Sequence, residues 1–183
     1  MAVQIHRLTG AGPTGTDITS INTRLNAEDA HSTADTDNPV LVPAAGTNYS
    51  FWANIRLYFD STGTGTINNI KWYTDGANGL GTGIGLVIAL AGVYGQASGT
   101  DGETGDELTV ANYGNGSTDL TEEPTDAFAF TSASPKSLAG SVTDPEDEYF
   151  GDIAVIQATV GTTAGAGASN QETMTFRYDS TVS

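Results

Sequence analysis

His6 and His31 are the only histidines in this chain of 183 residues, and it has no cysteine, so the inventory for nucleophilic or thiolate chemistry is short. No Gly-x-Ser-x-Gly elbow occurs. Both histidines fall in the first 46 residues, where no rigid element is predicted to hold a base to the tolerance acyl transfer needs. A closed zinc site needs four ligands, and two histidines without a thiolate do not supply it.

Carboxylates are plentiful but grouped in segments that read as loops. Asp101, Glu103, Asp106 and Glu107 form one group, Glu122, Glu123 and Asp126 a second, and Asp144, Glu146, Asp147 and Glu148 a third. A glycosidase needs two acids held roughly 5 to 9.5 Å apart, one in an apolar setting that raises its pKa. Only Asp152, inside YFGDIAV, has apolar neighbours, and a lone acid there reads equally as the polar position of an alternating strand. The oxygen-rich loops DGETGDE and DPEDE make calcium the ion that fits best, although neither follows the twelve-residue grammar of an EF-hand.

The aromatic residues Trp52, Tyr58, Trp72 and Tyr73 belong to two neighbouring strand-like segments. Trp52 and Tyr58 share the face that points away from Phe51, Ala53, Ile55, Leu57 and Phe59. An exposed aromatic row serves as a carbohydrate platform, and the same row serves as a subunit contact. Trp52, Arg56 and Trp72 are of the types enriched in protein interfaces, which makes them contact candidates.

The elements that must carry these residues are strands. Tyr49–Phe59 alternates strictly, and Ile67–Tyr73 follows after DSTGTGT, whose glycines allow a tight reversal, so a hairpin is predicted. Gly83–Tyr94 is apolar on both faces, which predicts a central strand or a subunit contact. Val40–Val42 reads as a short edge strand, Glu107–Tyr113 as a weaker strand and Ala127–Thr131 as another. Tyr149–Val160 and Glu172–Tyr178 close the series, separated by the flexible segment Gly161–Asn170. About seven or eight strands without a long helix predict an all-β fold, an antiparallel sandwich of jelly-roll-like or Ig-like type.

Residues 1–46 differ in composition, being poor in aromatics and broken by Gly10, Gly12, Pro13, Gly15, Pro39 and Pro43. They read as an extended N-terminal arm ahead of a sandwich domain spanning 47–183, with one or two helical turns allowed by the spacing of Ile18, Ile21 and Leu25. ADTDNP, residues 34–39, reads as a turn. Val3, Ile5, Leu8, Ile18, Ile21 and Leu25 are isolated apolar anchors that the arm would order against a neighbouring subunit or capsid.

Charge narrows the partners. Six Lys plus Arg against 22 Asp plus Glu give a formal charge of -16, which repels phosphate backbones and anionic lipid surfaces. Nucleic acid and membrane are therefore not expected partners. The longest apolar run is far shorter than the roughly 20 residues of a spanning helix, and the first residues lack the pattern of a secretory signal. Asn48-Tyr-Ser50 and Asn115-Gly-Ser117 match the glycosylation acceptor pattern, which arises often by chance.

The blocks HRLTGAGPTGTDITSINTR, NYSFWANIRLYF, INNIKWYTDG and YFGDIAVIQATVGTTAGAG with ETMTFRYD run in this order along nearly the whole chain. In them the chain resembles small β-rich virion structural proteins of tailed bacteriophages and related environmental viruses. The resemblance implies a decoration or cement protein on the capsid exterior, bound to the major capsid protein and assembled as a homo-oligomer, a trimer by analogy. A tail or fibre component is the competing placement, and a carbohydrate- or receptor-binding module the competing function. No cofactor and no catalytic residue is implied.

Overall fold

The computed structural model describes residues 3–33, 37–114 and 119–183. Its strands, in chain order, are β1 (Val3–Thr9), β2 (Thr14–Asp17), β3 (Thr47–Tyr49), β4 (Ala53–Thr62), β5 (Thr66–Tyr73), β6 (Ile84–Ala91) and β7 (Gly99–Thr100). They continue with β8 (Thr104–Gly105), β9 (Thr125–Asp126), β10 (Lys136–Ser137), β11 (Val142–Thr143), β12 (Glu146–Gly161) and β13 (Thr175–Ser180). A single 3₁₀ turn, Ala127–Ala129, is the helical element among the described residues.

Seven strands form the larger sheet in the order β2-β1-β4-β12-β6-β9, with β3 also on β12. The smaller sheet is built on β5, with β13 along one edge and β10 and β11 along the other. Every pairing in both sheets is antiparallel. The two sheets pack face to face, so the all-β antiparallel sandwich predicted from the strand pattern is the architecture found.

Alternation explains the packing. Ala53, Ile55, Leu57 and Phe59 of β4, Leu86, Ile88 and Leu90 of β6, and Ala154 and Ile156 of β12 face Ile67, Ile70 and Trp72 of β5 in the larger core. The opposite face of the larger sheet is apolar too. There Leu8, Ala89, Ala91, Ile153 and Val155 meet Ala27, Leu108, Tyr113 and Leu120 from irregular segments. The larger sheet is thus buried on both faces, by the second sheet and by a layer of loops, which is why β6 and the Ile153–Ile156 stretch of β12 carry no polar side chain. β6, expected to be central or at a subunit contact, lies one position in from the edge, between β12 and the two-residue β9, and its two apolar faces are covered by the second sheet and the loops.

Several elements depart from the sequence reading. β4 and β5 are not a hairpin: Gly63-Thr64-Gly65 carries the chain from one sheet to the other. Gly65 holds φ of +130°, and a Cβ there would lie 2.7 Å from the Thr181 carbonyl oxygen. The strand expected over Tyr49–Phe59 is broken at Ser50–Trp52. The Ser50 hydroxyl accepts a bond from the Ala158 amide at 2.9 Å, and Phe51 turns to the loop-covered face with Trp52 instead of joining Ala53. Ala127–Ala129 is a 3₁₀ turn because Asp126 caps it, its carboxylate accepting from the Phe128 amide at 3.0 Å. Val40–Val42 and Glu107–Tyr113 form no strand, and no helical turn forms between Ile18 and Leu25. The turn at residues 34–39 and the Asn115 glycosylation pattern fall wholly or partly outside the described residues.

The largest difference lies at the N-terminus. Val3–Thr9, expected in a free arm, is a full strand of the larger sheet, registered on β4 from Val3 opposite Phe59 to Leu8 opposite Asn54. Val3 and Ile5 fall opposite Phe59 and Leu57 and pack on the larger core, while Leu8, opposite Asn54, is covered on the other face, so these apolar side chains are covered by the chain itself.

Candidate functional site

Arg7 organises the segment that follows β1 and β2. Its side chain is 1 % exposed, its Nη1 donates to Thr23 Oγ1 at 2.8 Å and to the Arg24 carbonyl, and Glu28 and Asp29 supply opposing charge. Burial pulls its pKa down to about 10, so the guanidinium stays charged at neutral pH. Nearby bonds fix the same segment: Asp29 Oδ2 accepts from the Gly10 amide at 3.0 Å, Ala27 donates to the Asn38 carbonyl at 2.7 Å, and Gly102 donates to the Ala27 carbonyl at 2.9 Å. Residues 18–46, in their described part, are a loop layer fastened over one end of the sheet.

That layer presents apolar side chains outward. Ile21 is 48 % exposed, Leu41 48 % and Val42 40 %, three of the four large apolar residues that stand exposed among the described residues, the fourth being Val93. The Leu41 backbone is held on both sides, its amide donating to the Glu103 carbonyl at 2.9 Å and its carbonyl accepting from Asn48 Nδ2 at 2.9 Å. The exposed Leu41 side chain therefore sits on anchored backbone, with Val42 next to it in the chain.

Of the contact candidates read from sequence, Ile21 alone is fully at the surface. Val3, Ile5, Ile18 and Leu25 are partly buried against the larger core, and Ile18 and Ile5 are brought together by an amide-to-carbonyl bond of 2.8 Å. Leu8 is buried under the loop layer. Trp52 and Trp72 are each 1 % exposed, in different cores, so neither forms a contact or a glycan platform. Trp52 is buried because the outward face of β4 is roofed at that end, its Nε1 donating to the Gly95 carbonyl at 2.9 Å.

Arg56 and Tyr58 lie where this roof ends. Arg56 is half-buried and donates from Nε to the Gly151 carbonyl at 2.9 Å. Beside it His6 stacks on Tyr58 with ring centroids 4.5 Å apart, and Tyr149 lies 4.8 Å from Tyr58. His6 Nδ1 is 3.0 Å from the Tyr149 hydroxyl and Nε2 is 2.8 Å from Gln4 Oε1, so both ring nitrogens are engaged. Tyr58 donates to Asp147 Oδ1 at 2.6 Å, and this bond pushes its pKa up to about 12. The cluster fastens β1, β4 and β12 and uses its polar atoms in doing so.

Comparison with protein-family profiles, curated proteins and solved structures finds no match for this chain.

Several carboxylates are likewise engaged, Asp152 and Asp144 by backbone amides and Asp106 by a side-chain hydroxyl. Asp152 accepts from the Ala139 amide at 2.8 Å and faces the Arg56 charge. Asp144 accepts from the Gly65 amide at 2.8 Å, and Asp106 from the Ser98 hydroxyl at 2.6 Å. Among the described residues no group of three or more acids or histidines converges as a metal cage. An open concavity of about 370 Å³ includes Tyr49, Glu107, Glu123 and Gln157 in its lining. Glu123 there accepts from the Val110 amide at 3.3 Å, and Glu107 together with burial raises the pKa of Tyr49.

Sequence reading passed over the buried polar fasteners. Gln157, fully buried, donates to the Ser50 and Asp106 carbonyls, each at 2.8 Å, and accepts from the Leu108 amide at 2.7 Å. Its signal was present: one amide side chain within an apolar run of β12.

Proposed function

We propose that this protein is a virion structural protein that decorates and stabilises the outer surface of a viral capsid through protein–protein contacts. The observation that carries the reading is the loop layer formed by the described part of residues 18–46, which leaves Ile21, Leu41 and Val42 exposed, Leu41 on backbone bonded on both sides. Apolar side chains on ordered backbone lose little further entropy when a partner covers them. The sequence blocks that resemble phage virion proteins support the same reading. So does the charge of -16, which suits a solvent-facing exterior better than a shell lining packed against phosphate.

The contact differs from a flexible arm in its mechanism. Val3 and Ile5 pack on the core between the sheets and Leu8 lies under the loop layer, so the surface offered to the major capsid protein is the rim of that layer. Binding that favours the assembled shell stabilises it by mass action, and a symmetric homo-oligomer, a trimer by analogy, multiplies the contacts. Placement on a tail or fibre would use the same surface.

The test is a triple variant, Ile21→Asp with Leu41→Asp and Val42→Asp, mixed with capsids stripped of the protein. These side chains are exposed, so the variant is expected to fold, and its capsid binding is expected to fall at least about tenfold, equal to 1.4 kcal/mol. Wild-type binding by the folded variant would contradict the proposed surface.

A further inference from the structure

One edge of the smaller sheet, at β13, has no strand paired on its outer side among the described residues. β13 is six residues long, and among the described residues it pairs with β5 alone. The other strands that end or flank the two sheets, β2, β3, β9, β10 and β11, are two to four residues long. Short edges are one way proteins avoid unwanted pairing, and β13 lacks that protection. Residues 173–182, TMTFRYDSTV, also contain no proline, glycine or lysine. The irregularity in the β13–β5 ladder is taken up by β5, where Asn69 holds φ of +52°. β13 is therefore regular, and alternate residues turn their amide and carbonyl groups away from the sheet.

The side chains specify which strand could fill that edge. Arg177 and Asp179 are exposed on the outer face, and Phe176 and Tyr178 are half-buried on the inner one. Arg177 lies cross-strand from Lys71, a like charge, and near the Tyr73 ring at 5.9 Å. It lacks a carboxylate opposite it on the β5 side.

We propose that β13 pairs antiparallel with β13 of a second copy of this chain, across a two-fold axis at Tyr178, joining the two smaller sheets into one. In that register Arg177 of each copy stands opposite Asp179 of the other, and the two Tyr178 rings meet on the inner face. Shifting the axis to residue 177 sets Arg177 against Arg177, and shifting it to 179 sets Asp179 against Asp179. Shifts by a single position in the ladder would oppose inner and outer faces. Of these registers one alone sets each charge against its opposite, and a second copy of this strand supplies both partners. The pairing does not depend on where the protein resides, and it can join two trimers as readily as two monomers.

The experiment measures the mass of the full chain by sedimentation velocity. It is run at physiological ionic strength, because two bodies of charge -16 repel over about 8 to 10 Å of screening length. Arg177→Asp alone opposes two acids, and Asp179→Arg alone opposes two bases, so each variant is expected at half the wild-type mass. Mixed in equal amounts, the two variants restore both ion pairs and the wild-type mass. A second route uses the absence of cysteine: Arg177→Cys and Asp179→Cys chains, when mixed, should form an interchain disulfide faster than either chain alone. A wild-type chain that is monomeric at all concentrations, single variants of unchanged mass, no restoration on mixing, or equal cross-linking rates would each overturn the proposal.

Discussion

Tyr113 donates its hydroxyl hydrogen to Asn54 Oδ1 at 2.6 Å, with both residues 0 % exposed beneath the loop layer. The same hydroxyl accepts from the Gly95 amide at 2.9 Å, and Asn54 Nδ2 and Trp52 Nε1 both donate to the Gly95 carbonyl. Three separate segments are closed by one satisfied polar network. Removing one member leaves buried partners unpaired, which costs more than the bond itself contributes. Tyr113→Phe should therefore destabilise the fold by about 1–3 kcal/mol, read as a lower denaturant midpoint at unchanged slope.

Arg7 should be the more sensitive position. Its charge is buried against Thr23 Oγ1 and the Arg24 carbonyl, and it balances Glu28 and Asp29. Arg7→Ala removes the cation and leaves that polar set without it, a change expected to cost about 3–5 kcal/mol. Hydrogen exchange should show amide protection lost first at Ala27, whose amide bonds the Asn38 carbonyl, and at Gly102, whose amide bonds the Ala27 carbonyl. Loss spread evenly over both sheets would show that Arg7 does not act through the loop layer.

Acid should weaken the fold through both histidines. Burial lowers the pKa of His6 against the charges of Asp17 and Asp60, and it lowers that of His31 with help from the Arg7 charge. The unfolded chain then takes up protons first as pH falls below 6.5, so stability is full above that value and is lost as pH drops toward the folded pKa values. Unfolding midpoints measured from pH 7.5 to 5 should decline for the wild type. The double variant His6→Gln, His31→Gln should be flatter over this range, and an equal decline would assign the effect to other groups.

Much of the sandwich was legible because strand alternation reports burial directly. Leu86, Ile88 and Leu90 against Val87, Ala89 and Ala91 marked β6 as covered on both faces, and Phe176 and Tyr178 marked the inner side of β13. Alternation does not report which sheet a strand joins, so the Gly63–Gly65 link read as a hairpin when it crosses between layers. It also does not report whether a roof of loops exists. Trp52 therefore read as a surface residue, although the Gly95 carbonyl receives its indole donor. β1 was missed for another reason: the glycines and prolines of residues 10–46 diluted a VQIHRLT pattern that pairs fully with β4. Arg7 gave no signal of its own, because a buried charge is defined by partners such as Thr23 and Arg24 that lie beyond its strand.

The most direct measurement is a reconstruction of the intact virus particle that carries this chain. The account predicts density for the two-sheet sandwich on the outside of the shell, with Ile21, Leu41 and Val42 turned toward the capsid protein. Particles that lack the chain altogether, or carry it on the inner wall against the genome, would contradict it.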